Sequence, residues 1–128
     1  GKIARVDLYN FANDYVHVLD LSATERGLEG FGGGFCDDDF GYFVPRWNGR
    51  PFGKFVRVFL RDFAGSSPII DTLDLTAIDA GLKGFSGAFT DGRFAYLVPV
   101  FNGADFGKVV RVALVPRASV LGIVILGG

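Results

Sequence analysis

Two matching turns carry the side chains best suited to hold a ligand. The first reads Trp47-Asn48-Gly49-Arg50-Pro51 and the second Phe101-Asn102-Gly103-Ala104-Asp105. Each sets an aromatic ring, an amide and a charge within a few residues. Sugars are held by an aromatic face together with planar polar side chains, and binding functions concentrate on loops. Trp47, Asn48, Arg50, Phe101, Asn102 and Asp105 are therefore candidate ligand-binding residues. Glu25 and Arg26 join them, because the loop at 23–29 is expected at the same end of the fold. The competing expectation is an ordinary Asn-Gly hairpin with its aromatic tucked inward.

Other chemistry is less well supplied. Cys36-Asp37-Asp38-Asp39 offers carboxylates, but a calcium site takes about 6 to 8 oxygens from a folded loop. The matching Thr90-Asp91-Gly92-Arg93 has far fewer, so both read as solvated turns and no metal or cofactor is expected. The one histidine, His17, has no Ser-His-Asp company and reads as a core or edge residue. Cys36 is the one cysteine, which excludes an internal disulfide. With no histidine or helix start nearby to activate it, it reads as a partly buried small residue. Gly32-Gly33-Gly34 lacks the strand-loop-helix setting and the Lys-Ser/Thr ending of a phosphate loop. A glycosidase would need two carboxyls about 5 to 10 Å apart in a pocket, and nothing in the sequence selects such a pair. An enzyme is not the expectation.

The candidate turns recur because the sequence does. Residues 19–60 overlay residues 73–114 without a gap, and 24 of the 42 positions are identical. The shared skeleton includes Leu19, Asp20, Leu21, Phe31, Phe35, Tyr42, Pro45, Asn48, Gly53, Lys54 and Arg57, each repeated 54 residues later. Both ends are partial copies. Gly1-Lys2-Ile3-Ala4-Arg5-Val6-Asp7-Leu8 repeats the Gly-Lys-x-x-Arg-Val-x-Leu segment that closes each copy, and the tail at 120–126 matches an opening strand.

Four strand-like runs recur per copy: 16–21 or 69–75, 30–35 or 84–89, 40–47 or 94–101, and 54–60 or 108–115. All are short, rich in aromatic and β-branched residues, and bounded by turn signals such as Asp91-Gly92 and Asn102-Gly103. Ser22 and Thr76 are candidate caps for a single helical turn at 23–28 and 77–82. Within the third run, Phe40, Tyr42 and Val44 fall on one face and Gly41, Phe43 and Pro45 on the other. Both faces are apolar or small, whereas a sheet wetted on one side would alternate with polar residues. Few residues can supply helical cover, so sheet must pack on sheet.

Composition agrees. The chain has 128 residues, 49% of them apolar, with 14 Phe and 19 Gly, so a disordered chain is excluded. Net charge is −1 with no basic run, which argues against nucleic acid. The apolar tail at 118–128 is too short for a bilayer, which takes about 20 residues, so no membrane span is expected. The chain contains no Met and so reads as a trimmed piece, leaving targeting and location open.

The run Phe89-Thr90-Asp91-Gly92-Arg93-Phe94-Ala95-Tyr96-Leu97-Val98-Pro99, followed by Gly107-Lys108-Val109-Val110-Arg111-Val112, resembles a β-propeller blade of the YVTN, NHL or Kelch-like kind. The resemblance covers the whole chain but its motifs are generic, and the second copy lacks the later Trp of a Kelch blade. It implies an all-β fold of tandem four-stranded antiparallel blades, about two and a half per chain. Residues 1–128 would be one repeat domain: a partial blade at 1–21 and blades at 30–75 and 84–126. The innermost strands would be 30–35 and 84–89. Rings take about 4 to 8 blades, so chains are expected to associate as homo-oligomers.

The function this predicts is a non-catalytic binding module for carbohydrate or another small polar ligand, completed by self-association. One alternative is a structural or protein-interaction piece of a larger propeller, with a protein ligand. A glycosidase ranks last.

Overall fold

The structure, a computed structural model, describes residues 1–115. The closing strand expected at 120–126 lies outside the described residues. The fold is all-β, and the described residues form nine antiparallel strands in three sheets. β1 (Lys2–Val6) and β2 (Val16–Asp20) pair as the first sheet. β3 (Phe31–Cys36), β4 (Phe40–Pro45), β5 (Lys54–Phe59) and β6 (Ile70–Asp74) form the second, in chain order. β7 (Phe85–Thr90), β8 (Phe94–Pro99) and β9 (Val110–Ala113) form the third. Among the described residues no sheet closes on itself.

Registers of the second and third sheets correspond. Phe35 lies opposite Tyr42 and Phe89 opposite Tyr96, and the same irregularity falls after Phe31 and after Phe85. The expected runs at 40–47 and 108–115 shorten to Phe40–Pro45 and Val110–Ala113. The regular strands end at Pro45 and Pro99, which have no N–H to donate, although the Trp47 and Phe101 N–H groups still reach the Gly30 and Gly84 carbonyls.

The sheets stack face to face, each contact filled by a separate core. One core joins Leu21, Leu28, Val56, Val58 and Phe63, with Ile3 and Leu19 of the first sheet against it. The other joins Phe40, Tyr42, Val44 and Phe55 of the second sheet to Phe85, Ala95 and Leu97 of the third. Successive side chains point to opposite faces, so Phe55 enters one core while Val56 and Val58 enter the other. The apolar alternation of the second sheet thus has a layer on either side to satisfy it.

The helical turns begin two residues earlier than Ser22 and Thr76 indicate. They span Leu21–Thr24 and Leu75–Ala77, and their caps are Asp20 and Asp74. Asp20 accepts from both the Ser22 N–H and the Ser22 hydroxyl, and Asp74 does the same for Thr76. A carboxylate caps at least as well as a hydroxyl, and this register also buries Leu21 and Leu75 completely.

The recurring aspartates hold the turns between the first two strands of the second and third sheets. Asp37 Oδ1 accepts from the N–H groups of Asp39 and Phe40, and Oδ2 accepts from the Tyr42 hydroxyl at 2.9 Å. Asp91 repeats this with Arg93, Phe94 and Tyr96. The N–H groups of Phe94 and Arg93, then the Tyr96 hydroxyl, draw Asp91 from 3.8 down to about 2. At Asp37 burial works upward, but the same three donors outweigh it and the net direction is down. Burial and the Asp37 carboxylate push Tyr42 up to about 12.

A folded pKa below the unfolded one stabilises above the unfolded value and is lost as pH falls through the folded value. Stability should therefore drop below about pH 4 through both groups, with the Asp91 share lost down to about pH 2. The Asp37→Asn, Asp91→Asn double variant should lose less melting temperature than wild type over that interval. An acid limb of unchanged steepness would remove this role.

Candidate functional site

The turns at 47–51 and 101–105 and the connections at 24–30 and 75–84 lie at one end of the stack. Their approach is enforced twice over. Asn48 Nδ2 donates to the Gly27 carbonyl at 2.9 Å, and Asn102 Nδ2 donates to the Gly81 carbonyl at 2.9 Å. Lys54 pairs with Glu25, and Lys108 Nζ lies 2.7 Å from Asp79 Oδ2. The lysines are thus part-exposed clasps. Two of the candidate residues, Asn48 and Asn102, hold the loops together through their amide nitrogens.

The candidate residues divide between two clefts. Arg26, Asn48 and Arg50 line an open cleft of about 870 Å³, together with Lys54, Lys83 and Asp74. Glu25 reaches its edge through Lys54. Trp47 and Phe101 line a second, smaller cleft of about 300 Å³ with Arg46 and Val100. Trp47 is 51% exposed, and Phe101 is also exposed, so neither ring is tucked inward. Asp105 lines neither cleft; its backbone bridges Phe101 and closes the turn.

The larger cleft is cationic on balance: Arg26, Arg50, Lys54 and Lys83 line it against the carboxylates of Glu29 and Asp74. Arg26 and Arg50 project from two loops leading into and through the second sheet, and Lys83 from the loop leading into the third. None of these three has an ion pair among the described residues, while Lys54 is matched by Glu25. A convergent set of guanidinium and ammonium donors beside an amide binds carboxylates, sulfates or phosphates by charge-assisted hydrogen bonds. Lys83 was not a candidate, because it lies outside the loops at 23–29, 47–51 and 101–105 from which the candidates came. The clasps had a readable signal: Glu25 and Asp79 both precede their lysine by 29 residues.

The remaining polar groups serve the frame. Arg57 projects from β5 and takes two partners. It pairs with Asp71, its direct cross-strand neighbour, at 2.8 Å, and donates to the Val115 carbonyl at 2.6 Å. Asp20 and Asp74 are engaged as caps, which removes them as partners. The Arg57 guanidinium lies 4.1 Å from the centre of the Phe40 ring, and Arg111 repeats this over Phe94. His17 takes the place of Asp71 in the first sheet, opposite Arg5, with Nδ1 at 3.3 Å from the guanidinium. It is exposed at the surface. Cys36, expected partly buried, is exposed because it ends β3 beside an open turn. Among the described residues no group of three His, Cys, Asp or Glu side chains converges as a metal site.

No family model, curated protein or solved structure matches this chain.

Proposed function

We propose that the chain is a non-catalytic binding module of propeller-like blades, whose ligand is a small polar molecule carrying negative charge, with an acidic sugar as the leading class. The observation that carries the reading is the 870 Å³ cleft into which Arg26, Arg50 and Lys83 converge from three loops. Its volume falls in the range of small-molecule sites, about 300–1,000 Å³. The nearby Trp47 and Phe101 rings offer flat apolar faces of the kind that sugars stack on.

Three observations favour blades over a plain sandwich. Three sheets stack in sequence order, each connected to the next by the same kind of short capped turn. The first strands, β3 and β7, pack against each other. They also approach closely: a side-chain carbon built on Gly33 would sit 3.8 Å from the Gly87 Cα. Close approach of first strands is what convergence on a central axis requires. The complete second sheet then counts as one blade, the third as another, and the first as the outer half of a third, each sheet read as a unit of one repeat domain.

Binding is tested on an array that includes uronic, sialylated and sulfated glycans alongside neutral ones. Signal should concentrate on the acidic members. The Arg50→Ala, Lys83→Ala double variant should weaken it at least tenfold, since a hydrogen bond to a charged group contributes about 1.5–3 kcal/mol. A blank array, or equal signal from neutral sugars, would sink the acidic-sugar reading.

A further inference from the structure

The first and last sheets each present an uncovered apolar face, and the two faces differ in kind. The third sheet turns Phe89, Tyr96, Val98 and Val109 outward. Their matches 54 residues earlier are Phe35, Tyr42, Val44 and Phe55, which pack against the third sheet inside the chain. Phe55, in β5, is 5% exposed and Val109, just before β9, is 65% exposed, though the register of β9 on β8 corresponds to that of β5 on β4. The last sheet therefore repeats the docking face of the second, with nothing among the described residues on it.

The first sheet carries the opposite face. Ile3 and Leu19 look toward the second sheet, so Val6, Val16 and Val18 look away from it, and all three are exposed. Val6 and Val16 match Val58 and Ile70, the residues with which the second sheet packs back onto the first. The loop after β1 behaves in the same way. Phe63, three residues after Leu60, reaches back beneath Arg5 of the preceding sheet, 5.2 Å from its guanidinium, and is 4% exposed. Phe11, three residues after Leu8, is 80% exposed. The residue of the third sheet that matches Arg5 is Arg111.

We infer that the back of the third sheet of one chain takes the front of the first sheet of a second copy, with Phe11 of that copy seated beside Arg111. This rests on the stacked-blade part of the reading above and not on its ligand. The contact repeats twice inside the chain, so its chemistry is already present in the molecule. It joins two different faces, which makes it heterologous: it closes into a ring or propagates, and cannot stop at a symmetric back-to-back pair.

The test is the mass of the full chain by light scattering across micromolar concentrations. Wild type should run as an oligomer. Phe11→Lys and Val109→Lys alter opposite faces at side chains that are mostly exposed, so unchanged far-ultraviolet spectra serve as the folding check. Each variant alone should shift the midpoint of association at least tenfold upward. Mixed in equal amounts, they should form a heterodimer, because each retains the face the other has lost. A monomeric wild type overturns the inference. So does association that Val109→Lys abolishes and Phe11→Lys leaves untouched, since that outcome means two third sheets meet back to back. A monomer that still binds acidic glycans removes the association and spares the ligand; an oligomer with a blank array does the reverse.

Discussion

Replacing Gly84 by Ala should destabilise the fold by about 3 kcal/mol, more than any other glycine substitution proposed for this chain. Gly84 has φ +75°, where an L side chain costs roughly 1–2 kcal/mol. A methyl group there would overlap the Phe101 carbonyl, with the carbonyl carbon only 2.7 Å away. The obstacle is backbone and cannot rotate aside. Moving it separates the Phe101 N–H from the Gly84 carbonyl, now 3.0 Å apart, and a lost hydrogen bond adds about 1 kcal/mol. Gly103 supplies the control: its φ is +113°, but nothing lies within 4 Å of an added methyl. Gly103→Ala should show the conformational part alone, about 1–2 kcal/mol in urea unfolding. Equal losses in the two variants would mean the close approach at Phe101 is not what holds Gly84. Phe101 also lines the aromatic cleft, so a folded Gly84→Ala protein should present that cleft altered.

These glycines illustrate which parts of the fold could be read from residues alone. The gapless repeat and the two-sided apolar pattern of Phe40 to Pro45 pointed to layered antiparallel sheet, and layered sheet is what forms. Alternation is a local property, so it survives in a one-dimensional string. The caps did not read correctly, because Ser22 and Asp20 are both good caps and only the burial of Leu21 decides between them. The carboxylate partner of Arg57 was not legible for a related reason. Choosing among Asp20, Asp71 and Asp74 needs the register of β5 on β6, and that register is set by the length of the intervening loop.

The candidate site was legible as an end of the molecule and not as a pocket. Asn48 and Asn102 stood out as polar groups near aromatics. In the structure their amide nitrogens tie loop to loop, at equal distances in both copies. Repetition was the clue: a group kept in both copies is a group the frame uses. By the same logic, the residues free to hold a ligand are those that differ between copies. Arg26 matches Ala80, Arg50 matches Ala104 and Lys83 matches Glu29. The three unpaired cations of the cleft where the second sheet meets the third all stand at such unmatched positions, as does Glu29 beside them.

How firmly the layers hold one another decides whether such a cleft keeps its shape, and one pair of matched residues measures it. Phe85 and Phe31 open equivalent strands and meet equivalent rings, Phe106 at 5.6 Å and Phe52 at 5.5 Å. Phe85 is buried completely, because the second sheet opposite it is four strands wide. Phe31 is only half-buried, because the first sheet opposite it is two strands wide. Truncating a fully buried Phe costs about 3–5 kcal/mol, a transfer contribution plus a cavity. Phe85→Ala should fall in that range, while Phe31→Ala, with less apolar area to lose, should cost roughly half as much. Denaturant unfolding of both variants at one temperature gives the comparison directly. Equal costs would mean that contacts within each copy, and not the width of the facing layer, set the strength of the core. A larger cost at Phe85 would place the strongest joint of the chain directly beside the cationic cleft, at the junction where its three loops must be held in fixed relation.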